Sequence, residues 1–219
     1  MKKMLMMVAM AVCCMAANAQ NEVGQLTIQP KIGANLSTIT GAKVNDESAN
    51  LKFGFVVGAE AEYGLAPNFS VAAGVLYSQQ GCDFGEYKVS IPDQFGNIHE
   101  GGWSKNQSNV AYLNIPIVAN YYLAPGIAIK AGIQPGFLLS AKQKLDGIGE
   151  TPSTDTDYKD ACNTFDLSIP IGISYESDNF VIDGRYNLGL TKINKESISG
   201  EKDNRNSVIQ VTIGYKFAL

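Results

Sequence analysis

Few residues in this chain could do chemistry, and most of them occupy regular positions. Lys31, Lys52, Glu60, Glu62, Lys130, Asp166, Asp183, Arg185 and Lys216 all lie in segments of alternating apolar residues, and each falls on the phase the apolar residues leave free. Five are cationic and four anionic, so enclosed together they would nearly neutralise one another, as buried charges must. That balance predicts a hydrogen-bonded ion network, with a gated ion path as the alternative. His99 is the sole histidine, followed by Ser104 and Ser108. A hydrolase or acyltransferase would need such a base beside a serine and an acid, but serines are common in polar stretches and no enzyme is assigned. Asp-Thr-Asp-Tyr-Lys-Asp at 155–160 offers carboxylates to a hard cation such as Ca²⁺. It lacks the glycine and final glutamate of an EF-hand loop and reads as a solvated loop, so no metal or cofactor is assigned. Tyr87, Phe95 and Trp103 could form a binding surface or pack against extended strands.

The elements positioning these groups have period two. In the last segment Ile209, Val211, Ile213, Tyr215, Phe217 and Leu219 share one face, with Gln210, Thr212, Gly214, Lys216 and Ala218 on the other. The same alternation recurs over 26–36, 51–63, 69–77, 111–123, 127–139, 165–175 and 180–190, which makes eight predicted strands. Their non-apolar phase carries many small residues, among them Gly33, Gly54, Gly58, Gly74, Gly132, Gly172 and Gly189. A face turned to bulk water would carry more Lys and Glu, whereas small residues suit a narrow interior filled by side chains. The connections alternate too. Short turns follow the second, fourth and sixth strands, and long polar stretches lie near 38–50, 78–109, 140–164 and 192–207. Tyr63, Phe69, Tyr121, Tyr175, Phe180 and Tyr215 gather beside the short turns, as an interfacial girdle would. Together these features predict an all-β, eight-stranded antiparallel up-and-down transmembrane barrel.

The first residues read as a leader: Lys2 and Lys3, an apolar run from Met4 to Ala17, then Ala-Asn-Ala before Gln20. Cleavage after Ala19 leaves residues 20–219 as one barrel domain. A lipid-modified Cys13 or Cys14 is a weaker alternative, because neither Val12 nor Cys13 suits that processing. Losing the leader removes two lysines and no acids, so the net charge of −4 becomes −6. An acidic chain with one histidine does not point to nucleic acid. Cys82 and Cys162 remain, and an exported chain with two cysteines invites a disulfide without proving one.

Thr212, Gly214, Phe217 and Leu219 match, position by position, the carboxy-terminal signal that assembly machinery reads in outer-membrane barrels. "KIGANLST" (31–38), "YLNIPI" (112–117), "GIQPGFLLSAK" (132–142) and "RYNLGLTKI" (185–193) resemble strands of the PorT-like group of outer-membrane barrels, related in architecture to OmpX and OmpA. Asn114 stands where that group commonly has an acid. The resemblance implies fold and an outer-membrane location in a Gram-negative cell, with lipid and the barrel assembly machinery as partners. It implies the task far less. The leading expectation is a structural or binding role through long extracellular loops, with an unidentified envelope partner. A narrow pore for ions or small solutes, and an accessory barrel of a secretion system, are the alternatives.

Overall fold

Strands with one apolar and one polar face can satisfy every backbone group in lipid only by closing into a ring. In the computed structural model, which describes residues 23–41, 43–44, 47–92, 98–148, 152–195 and 203–219, they do so. The wall strands are β1 (Leu26–Thr40), β2 (Lys52–Ala66), β3 (Phe69–Asp83), β4 (Ile98–Asn114 and Ile117–Ala124), β5 (Ile127–Ile148), β6 (Phe165–Ser177), β7 (Phe180–Gly189) and β8 (Arg205–Tyr215, then Phe217–Ala218). Each pairs antiparallel with its sequence neighbours, and β8 returns to β1 with Lys31 opposite Gly214 and Thr40 opposite Arg205. Pro116 lacks an N–H and interrupts β4. The wall continues there through Gly74 N–H to Pro116 O and Ile115 N–H to Pro135 O.

Three tight turns close one end of the barrel. Asp178 and Asn179 both take positive φ, the left-handed geometry that Asp and Asn tolerate in two-residue hairpins. Gly126 also has positive φ, and a Cβ there would lie 2.3 Å from Glu176 O, so only glycine fits.

The outward rows are apolar along every strand: Ile32 is 64 % exposed, Phe53 70 % and Ile213 56 %. Water would not tolerate so large a continuous apolar surface around a folded chain, whereas hydrocarbon does. At the short-turn end Phe180 meets Tyr215 edge to face and Tyr215 meets Phe217 at a tilt, with ring centroids 4.9 and 4.8 Å apart, and the three contribute to the aromatic girdle.

At the other end the sequence expectation needs correction. Much of 78–109 and 140–164, read as loop, is strand. β3 runs on to Asp83, β4 begins at Ile98 and β5 extends to Ile148. Tyr87–Pro92 adds to the outer side of β4 and Thr154–Asp157 to β5, giving a four-stranded sheet that stands beyond the lipid-facing rows. Its stretches Ser104–Asn109 and Lys142–Asp146 are polar on both phases but for Leu145, so no apolar row marks them in the sequence. A register shift where Ala111 faces Ser140 and Tyr112 faces Leu138 makes Leu139 an extra residue. It exchanges the phases of β5 above it and brings Ala141 inside.

Candidate functional site

The nine charges named from the sequence all lie on the lumen side of the wall. Eight are buried, and Lys52, near the long-connection end, is half-buried. Seven of them fall into two layers.

In the middle layer Arg185 on β7 reaches Glu60 on β2 through two parallel hydrogen bonds, Nη1 to Oε1 at 2.7 Å and Nη2 to Oε2 at 2.8 Å. The same guanidinium donates to both oxygens of Asp183, at 2.8 and 2.7 Å. Lys31 on β1 holds Glu60 at 2.7 Å and lies 3.6 Å from Asp183, while Lys130 on β5 holds Asp183 at 2.8 Å. Since β1 and β5 stand on opposite sides of an eight-stranded ring, this layer bridges the lumen. It carries one more cation than anion.

The second layer, toward the short turns, has the opposite excess. Lys216 on β8 pairs with Glu62 on β2 at 3.0 Å and Glu176 on β6 at 2.6 Å, and Tyr122 on β4 donates to Glu62 at 2.6 Å. Four alternate strands therefore meet on one ammonium and its carboxylates. The two layers together are neutral. Glu176 and Tyr122 were not singled out from the sequence. The signal was there, since each is the next inward position after Ser174 and Asn120. Asp166 and Lys52 stand apart from both layers. Asp166 accepts from the Thr191 hydroxyl at 2.8 Å, and Lys52 Nζ lies 3.4 Å from Gln80 O.

An apolar cap closes the long-connection end. Ile39, Cys82, Val110, Tyr112, Leu138, Ala141, Cys162 and Ile193 pack there, with Ala49, Phe84 and Tyr158 against them. Backbone bonds lock the cap in place, from Tyr158 N–H to Ala141 O (3.0 Å), Asn163 N–H to Ile193 O (2.7 Å) and Lys195 N–H to Ala161 O (3.0 Å). The Tyr158 hydroxyl bonds to Ser108, yet burial pushes its phenol up to about 12. Cys82 and Cys162 share this cluster as buried free thiols, and burial pushes the Cys162 thiol up.

Other sequence candidates do not converge. His99 sits in β4, its backbone paired with Ile91, and its side chain lies outside the described residues. Ser104 and Ser108 follow on the same extended strand, roughly 17 and 30 Å away along the chain at strand rise, too far for a triad. The Ser104 hydroxyl lies 3.3 Å from Asp146 O. Asp157 accepts from the Lys159 N–H at 2.9 Å, and no metal-binding group of three or more His, Cys, Asp or Glu forms among the described residues. Phe95, the side chains of Tyr87 and Trp103, and the leader lie outside the described residues. Of the carboxy-terminal set, Thr212 and Gly214 are buried in the lumen, while Phe217 and Leu219 face outward.

Two ion layers that neutralise each other across a ring of eight strands, lipid-facing rows outside and a capped mouth define a small closed membrane barrel. The profile of the outer membrane protein beta-barrel domain family matches residues 18–195. The chain belongs to that family. No curated protein matches it. Among solved structures it is similar to Ail of Yersinia pestis in complex with the heparin analogue sucrose octasulfate, at 14 % identity over 90 % of this chain and 100 % of that one, TM-score 0.46. Neisserial surface protein A is similar at 14 % identity over 88 % and 97 %, TM-score 0.45. OprG from Pseudomonas aeruginosa is similar at 14 % identity over 90 % and 97 %, TM-score 0.43. This outer-membrane barrel has its lumen filled by its own side chains over the two layers and the cap.

Proposed function

We propose that this outer-membrane barrel is a binding protein rather than a pore, and that it works through the sheet and connections at its long-connection end, the extracellular side in this family's architecture. The observation carrying this reading is the middle layer. Arg185, Glu60, Asp183, Lys31 and Lys130 tie β1, β2, β5 and β7 together across the lumen with direct contacts of 2.7–2.8 Å. A permeating ion would have to break paired charges in a low-dielectric interior, which costs several kcal/mol for each charge left alone. The apolar cap adds a second barrier. Beyond it, Tyr87–Pro92 and Thr154–Asp157 flank a sheet that suits recognition of an envelope partner or a second chain by strand addition.

Conductance in planar bilayers tests the reading. The purified barrel is expected to give no reproducible open level, and a stable ohmic conductance would overturn the closed-lumen reading in favour of a narrow pore. Closer kinship to the PorT-like group, cleavage of the leader after Ala19, and recognition of Thr212, Gly214, Phe217 and Leu219 by the assembly machinery belong to the same proposal. The order of the four quoted segments along the chain supports the kinship.

A further inference from the structure

Asp166 is a lumen charge that neither ion layer neutralises. It is 7 % exposed and forms no ion pair among the described residues. Lys52, the other lumen charge outside the layers, stands on β2, across the ring from β6, and its Nζ lies 3.4 Å from Gln80 O. Thr191 Oγ1 accepts the Leu167 N–H at 2.8 Å and donates its own proton to Asp166 Oδ1 at 2.8 Å. The carboxyl is an acceptor there, the role of its ionised form. A buried charge without a counter-charge is costly.

The side chains around it are polar and incompletely bonded. Gly136 on β5 pairs with Asn114 of β4 on one side and with Asp166 of β6 on the other. A Cβ at Gly136 would lie 2.7 Å from Asn114 Oδ1, 3.6 Å from Asp166 Cβ and 3.7 Å from Tyr112 Cδ1, so the bare glycine leaves a niche among the three. Asn206 of β8 neighbours both Asp166 and Tyr112. Asn114, Tyr112 and Asn206 are 2 %, 1 % and 3 % exposed. Even so, Asn114 Nδ2, the Tyr112 hydroxyl and both polar atoms of the Asn206 carboxamide complete no hydrogen bond. Buried polar groups are almost always paired, so a set of them around one carboxylate points to a bound species.

We propose that the lumen holds an alkali-metal cation here, on the Asp166 carboxylate, with the carboxamide oxygens of Asn206 and Asn114 as further ligands. Hard cations take carboxylate and carbonyl oxygens, which is what this niche offers. A proton on Asp166 would remove the charge and leave the Asn206 oxygen unmatched. Water would match that oxygen and leave the charge. A cation meets both. One carboxylate balances one positive charge, whereas a divalent ion would bring a second charge with no counterpart. The site goes beyond the binding role proposed above and does not depend on which end of the barrel faces outward.

The test compares reversible urea unfolding of the mature barrel in lipid vesicles in sodium, potassium, rubidium and choline chloride at equal ionic strength. At an alkali concentration ten times its Kd the folding constant should be about tenfold larger than in choline chloride. Asp166→Asn should remove that dependence. Gly136→Ala, which fills the niche and keeps the charge, should weaken it, and Asp146→Asn at the rim of β5 should keep it. Crystals grown in rubidium chloride should show an anomalous difference peak beside Asp166, a readout that needs no variant to fold. Equal stability in all four salts, or a dependence that survives Asp166→Asn, overturns the site. An ordered water in the niche with no anomalous signal overturns the cation.

Discussion

At the scale of residues, the lumen shows why charge belongs inside so small a barrel. Asp183 carries three cationic contacts, from Lys31, Lys130 and Arg185, and its side chain is fully enclosed. Asp183→Asn keeps the shape but leaves three cations facing Glu60 alone. Breaking a buried pair from one side costs roughly 3–5 kcal/mol, so urea unfolding in lipid vesicles should show a loss of that size. Removing charge from both sides, as in Glu60→Gln with Lys31→Met, should cost less than the sum of the two single changes. Strict additivity in that double-mutant cycle would mean the layer is not coupled as its geometry implies. The alternation alone singled out Lys31, Glu60, Lys130, Asp183 and Arg185, because a charge in lipid is so costly that only the inward phase remains. Which cation meets which anion was illegible, since partners such as Arg185 and Glu60 are 125 residues apart.

At the scale of elements, the same cost can be read from the outside. Ile213 on β8 faces outward between Ile32 of β1 and Ile182 of β7. Ile213→Lys should destabilise the barrel by roughly 2–4 kcal/mol if that row lies near the bilayer midplane, measured by reversible unfolding in vesicles. A neutral outcome would place the row at an interface or in water. Strands whose two faces meet different media were visible in the sequence through their apolar rows. The upper parts of β4 and β5 were not. Around Ser104 to Asn109 and Lys142 to Asp146 both phases are polar but for Leu145, so periodicity has little contrast to report, and only pairing across strands marks these stretches as sheet.

At the scale of the whole molecule, closure depends on the seam between the first and last strands. Ala34 and Val211 sit directly opposite on β1 and β8, both on the outer face. Cysteines placed at these two positions should cross-link on mild oxidation and alter gel migration even after boiling. As a positive control, cysteines at Ile182 and Ile213 bridge β7 and β8. A control pair that links while the seam pair does not would mean the ring is open. The seam also explains why β8, which lies beyond the family match ending at residue 195, is indispensable. Without it β1 and β7 would expose unpaired backbone groups to lipid.

The sequence by itself determined the medium on each side of the wall. Alternation fixes which row meets hydrocarbon, charges fall only on the other row, and a ring follows because lipid cannot satisfy a strand edge. Only the tertiary structure decided how the interior is filled. The two oppositely charged layers, and the cap that gathers Cys82, Cys162 and Ile193, each draw on strands far apart in the chain. Period two states which way a side chain points, but it does not state which distant side chain it will meet.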